Sequence, residues 1–154
     1  DPYGPSEKVR KVKSKPVKSP DSRQDQRLVQ LRARVSGHIH QRDIAGAGRV
    51  YEEILQIDPE HVLPRQYQLD IANQLMTNER YAQAADAYER FLRHYPAYEH
   101  QADIYLMLGI LHGRYLHQYD KAETYLAEAV ERLHDPRKAE MARRDLDEAR
   151  RRKR

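Results

Sequence analysis

Apolar positions return along most of this chain at the three-to-four-residue interval of amphipathic helices. Leu28, Leu31, Val35 and Ile39 predict a first helix that Asp21 or Ser22 would cap. Ile44, Ala47, Tyr51, Ile54 and Leu55 form the stripe of a second, over about 43–57, and Asp58-Pro59 ends it. A third helix is expected from Pro64, a good first-turn residue, to Met76, with Thr77-Asn78 as the turn. The fourth, about 79–94, would bury Tyr81, Ala84, Tyr88, Phe91, Leu92 and Tyr95. Next comes the most apolar run, Ile104 to Leu111, inside a helix of about 98–116. A helix apolar almost all round must be covered on more than one side, which makes it the central element. Residues 119–133 return with Ala122, Leu126, Ala129, Val130 and Leu133 inward. Asp135-Pro136 then opens a last helix whose single narrow apolar face, Ala139, Ala142, Leu146 and Ala149, suits a capping helix.

A second, longer period overlies the first. Ala47, Tyr51 and Pro59 are followed by Ala84, Tyr88 and Pro96, each 37 residues on, and Ala122 with Leu126 form a looser third set 38 residues after Ala84 and Tyr88. In the first helices, Tyr105, Leu108, Gly109 and His112 align with Gln68, Ile71, Ala72 and Leu75, and these with Leu31, Arg34, Val35 and His38. The pattern resembles the tetratricopeptide repeat, in which a helical hairpin carries W-x2-L-G-x2-Y, then A-x3-F, then proline. Family repeats are about 34 residues long, so extra residues are expected around His61 to Pro64 and after Tyr115.

The resemblance implies an all-α, right-handed superhelical solenoid of three hairpins (about 24–59, 62–96 and 98–134) plus a capping helix, 136–152, within a domain of residues 22–153. It also implies a non-catalytic interaction module that binds a peptide or helix on the concave face formed by the first helices. Mapped onto this chain, that face holds Val29, Arg32, Ser36 and Ile39 from the first copy, Gln66, Leu69, Asn73 and Met76 from the second, and Asp103, Leu106 and Ile110 from the third. A subclass of the family grips the C-terminal carboxylate of heat-shock chaperones with two asparagines and a set of Lys/Arg. Here only Asn73 meets an asparagine slot and Arg32 a basic one, and the third copy offers Leu106, Met107 and Ile110 where cations are required. The clamp is therefore expected to be absent, leaving an apolar floor with a polar edge, to be covered by a partner or by the chain itself.

Composition narrows the remaining choices. There is no Cys and no Trp, but there are eleven Tyr. Thiolate metal sites and disulfides are excluded, and tyrosine supplies most of the large rings. The serines have no glycine-rich elbow beside them, and no phosphate loop or dinucleotide fingerprint is present, so no catalytic residues and no cofactor are expected. Eight histidines invite a metal reading. None of the closely spaced ones, His38 and His40, His94 and His100 or His112 and His117, has the i, i+4 spacing that puts two imidazoles on one helix face, so no metal site is expected. No run reaches the length of a membrane span, and the absence of an initiator Met or leader at Asp1 suggests a fragment or processed product.

Charge is uneven. Residues 1–27 hold eight Lys/Arg against four Asp/Glu, and residues 141–154 hold seven against three. Four prolines among Lys8, Arg10, Lys11, Lys13, Lys15 and Lys18 predict an extended basic tether over 1–21. Such a cluster suits an anionic lipid surface, whereas nucleic acid is the weaker match because aromatic residues other than Tyr3 are missing from it. The tether leads to a second reading, that of a cytosolic C-terminal appendage of a larger bacterial membrane protein, for which a rhomboid-type protease is one candidate. A cytoplasmic location goes with both readings, and the partner is a protein or peptide whose identity the residues do not name.

Overall fold

The computed structural model describes residues 22–154; the expected tether, with Lys8, Arg10, Lys11, Lys13, Lys15 and Lys18, lies outside the described residues. Over that range the protein is an all-α helical repeat. Its helices are α1 (Ser22–His40), α2 (Ile44–Ile57), α3 (Arg65–Thr77), α4 (Tyr81–His94), α5 (Gln101–Ile110), α6 (Tyr119–Arg132) and α7 (Pro136–Lys153). α5 runs on into a π-helical turn, Leu111–Tyr115. The chain divides into two compact units, one ending at Gln74 and the other beginning at Leu75.

In the first unit α1 packs on α2, and Leu31, Val35, Ala47, Tyr51 and Ile54 are buried as their spacing requires. Two further groups enter this core unannounced by the helical period. Leu63, in the connection before α3, is fully buried. Gln68, in the slot where the repeat pattern carries tryptophan, is buried with it. The Gln68 side chain accepts the Leu63 backbone N–H through Oε1 at 3.0 Å and donates from Nε2 to the Tyr51 hydroxyl at 3.1 Å. An amide in an aromatic slot thus satisfies the backbone of the inserted connection, which burial would otherwise leave unpaired.

The second unit is organised around α6, which packs against both α5 and α7. Leu106, Ile110, Ala122, Leu126, Ala129, Ala142, Leu146 and Ala149 form one buried cluster, with Met76 and Tyr105 packed against it. Gly109 is required at the α5–α6 crossing, because a Cβ there would lie 2.3 Å from Cγ and Cδ2 of Leu126. α4 presents Ala84, Ala87, Tyr88 and Phe91 as its buried stripe. Tyr81, Leu92 and Tyr95, expected inside, are half-buried.

The turns that open α2, α4 and α6 share one construction. Arg42, Glu79 and His117 each take a left-handed backbone, with φ of 58°, 60° and 53°. In the first two the next N–H reaches five residues back, Asp43 to the His38 carbonyl at 2.8 Å and Arg80 to the Leu75 carbonyl at 2.9 Å, which is the Schellman closure of a helix end. In the third, Gln118 reaches six residues back, to the His112 carbonyl at 2.8 Å. The π-helical turn accounts for the difference. Leu75 to His112 is still a 37-residue step, Glu79 to His117 is 38, and the added residue is absorbed as the wider turn between them.

Candidate functional site

The face expected to bind a partner is distributed over both units, and its residues differ in what they offer. In the first unit Val29 on α1 is 57% exposed. Arg32 and Ile39 are half-buried, and Ser36 is buried. On α3, Gln66 and Asn73 are exposed and Leu69 is half-buried. This part keeps an accessible apolar and polar mixture.

In the second unit the expected floor is not open. Leu106 and Ile110 are 5% and 7% exposed, inside the cluster that α7 completes with Ala142, Leu146 and Ala149, and Met76 packs against the same cluster. Leu106 and Ile110 are corrected from surface to interior, and Met76 to half-buried. The narrow alanine-rich face of α7 admits a close approach to α5, so the chain covers this stretch itself. Asp103, at the edge, is held by the Lys138 ammonium of α7 at 3.1 Å.

A polar cluster of the second unit went unnoticed in the sequence. His112, at the π-helical turn, is 2% exposed. Its Nε2 lies 3.0 Å from Glu89 Oε1, its Nδ1 lies 2.9 Å from Gln118 Oε1, and its ring stacks on Tyr125 at 5.6 Å and 12°. The Tyr125 hydroxyl donates to the same Glu89 oxygen at 3.2 Å. These bonds, the one to His112 foremost, hold the Glu89 carboxyl below its ordinary range. Burial and the Glu89 charge push the Tyr125 phenol up to about 12. The cluster is closed on itself, so its chemistry is that of an internal clasp joining α4, α6 and the turn. The first unit contains a smaller relative: His38, in the register position of His112, sits 3.0 Å from Asp43 Oδ2. Asp43 caps α2 by accepting the Gly46 N–H at 2.9 Å, which together with His38 lowers its pKa. A side chain at position 46 would strike both, its Cβ falling 2.2 Å from Asp43 Oδ2.

The second unit also holds a cavity of about 250 Å³ over Gly113 and Ala149. Two ion pairs wall it. The Arg114 guanidinium grips Asp145, with contacts of 2.9 to 3.3 Å, and Arg152 donates to Glu148 at 2.8 Å. Each cation is matched by an adjacent carboxylate, so the cavity presents compensated charge. Among the described residues no three His, Cys, Asp or Glu side chains are grouped to hold a metal ion, and no helix is long and apolar enough to cross a membrane.

Close to the π-helical turn, Tyr81 and Tyr115 stack face to face, with ring centroids 3.9 Å apart and planes 8° from parallel. Neither position belongs to the repeat pattern.

No family model and no curated protein matches the chain. Among solved structures it is similar to the crystal structure of the Sgt2 TPR domain from Aspergillus fumigatus, at 18% sequence identity over 81% of this chain and 82% of that one, with a TM-score of 0.47.

Proposed function

We propose that this chain is a non-catalytic protein-interaction module of tetratricopeptide type, and that its partner segment lies along the first-helix face of the first unit. The observation that carries the reading is an asymmetry between equivalent positions. At the register of Leu106 and Ile110 the chain buries its own apolar side chains, whereas 37 residues earlier the same register holds half-buried Leu69 and exposed Asn73, and 74 residues earlier half-buried Arg32 and buried Ser36. Val29 adds an apolar side chain that the core does not use. An extended segment with apolar side chains set between polar ones has the matching chemistry.

The alternative through the basic ends draws less support from the described part of the chain. At the end of α7, Arg150 and Lys153 are engaged by Glu123, and Arg151 and Arg152 share Glu148. Exposed pairs of this kind contribute little and are screened by salt, but they compete with an outside anion for the same cationic groups. A module hung from a membrane protein in the cytoplasm is compatible with the peptide-binding reading and adds no requirement to it.

The test is selection of peptides from a displayed library on the intact chain, followed by titration of the winners against Leu69→Glu and Arg32→Glu. Both variants should lose at least tenfold in affinity while helical content and melting temperature stay near those of the parent. Winners indifferent to both changes would place the partner elsewhere.

A further inference from the structure

Tyr81 begins α4 and Tyr115 ends the π-helical turn, so their side chains meet from elements distant in sequence but both within the second unit. Their rings are 3.9 Å apart and 8° from parallel. Stacking this close brings the ring carbons of one tyrosine to contact distance from those of the other. Tyr115 is 40% exposed, open to a diffusing oxidant. The chain has neither Cys nor Trp, the residues that otherwise compete most strongly for one-electron oxidation. Another tyrosine pair, Tyr105 and Tyr125, is 6.2 Å apart and tilted by 32°, with the Tyr125 hydroxyl tied to Glu89.

We propose that Tyr81 and Tyr115 form an oxidative cross-linking site, at which a peroxidase-type one-electron oxidant joins the two rings into a dityrosine staple between α4 and the π-helical turn. Each phenol gives up one electron to the oxidant and one proton. The two phenoxyl radicals couple through the carbons ortho to oxygen, and the hydrogens on those carbons shift to the oxygens to restore two phenols. With hydrogen peroxide as the ultimate oxidant, two tyrosine side chains and one peroxide yield one dityrosine and two waters. Stacking favours the coupling because the partner radical is already at contact distance, and the intramolecular reaction outruns encounters between molecules at low protein concentration. The staple closes the chain between residues 81 and 115 and so restricts the unfolded ensemble of this unit.

The experiment treats the full chain, dilute, with a haem peroxidase and limiting hydrogen peroxide, then digests it for mass spectrometry. The expected product is monomeric, fluoresces as dityrosine, contains a Tyr81–Tyr115 linked peptide two hydrogen masses below the sum of its parts, and unfolds at higher denaturant than untreated protein. Tyr115→Phe and Tyr81→Phe, each with an unchanged helical spectrum, should yield no such peptide and no shift in unfolding. Linkage through other tyrosines, cross-linking only between molecules, or an unaltered Tyr81–Tyr115 pair would each overturn the proposal.

Discussion

At the scale of single residues, three contacts carry more weight than their sequence neighbours suggest. Gly109 leaves room for Leu126, so Gly109→Ala should destabilise the chain by about 1–3 kcal/mol through overpacking. The same change made in Leu126→Ala should cost much less, which a denaturant double-mutant cycle would read as coupling between the two. Gln68 accepts the buried Leu63 N–H at 3.0 Å, and Gln68→Leu should cost roughly 1–3 kcal/mol through loss of that bond even though it adds apolar volume. Glu89 has its carboxyl pKa depressed by His112. A depressed carboxylate contributes stability above its unfolded pKa and loses it as the pH falls through the folded value. Stability of the parent should therefore drop as pH falls below about the ordinary glutamate value of 4.5, and Glu89→Gln should flatten that part of the profile in urea melts across pH. The alanines and glycine of the repeat were legible because a close helix crossing admits few residue types. Gln68 was not, because its partners belong to an inserted connection that no periodicity describes.

At the scale of elements, the helix-ending turns show both what local chemistry dictates and what it tolerates. Three of them use non-glycine residues in a left-handed conformation, at Arg42, Glu79 and His117. That backbone is ordinarily given to glycine, and an L-residue there costs about 1 kcal/mol. Glu79→Gly should thus raise stability by up to about 1 kcal/mol, offset in part by the greater freedom of glycine in the unfolded chain, and differential scanning calorimetry would show a higher melting temperature. Helix existence and the inward stripes followed from the 3.6-residue period, since burial of one face is what stabilises these helices. The π-helical turn did not. One residue added to a 37-residue spacing is visible as a number, but whether it becomes a longer loop or a wider helical turn depends on packing around His112 and Leu111, both buried.

At the scale of the whole molecule, the helical-repeat character was readable from the sequence, while the candidate site was readable only in part. The family pattern names which register positions line a first-helix face, and it does not say which of them the chain will cover itself. In the second unit α7 fills the floor at Leu106 and Ile110, because Ala142 and Ala149 let its backbone come close. Ile110→Glu should accordingly cost on the order of 4 kcal/mol by burying a charge in that cluster, seen as loss of cooperative unfolding rather than as a selective loss of binding. In the first unit Val29 and Asn73 are exposed and Leu69 is half-buried, and the functional reading rests there. The most direct measurement is a nuclear magnetic resonance titration of the full chain with a library-selected peptide, following backbone amides of both units. The account predicts that shifts concentrate on α1 and α3 around Val29, Arg32, Gln66, Leu69 and Asn73, and that Leu69→Glu abolishes them. Shifts confined to α7 or to the basic segment before residue 22, and unaffected by Leu69→Glu, would contradict it.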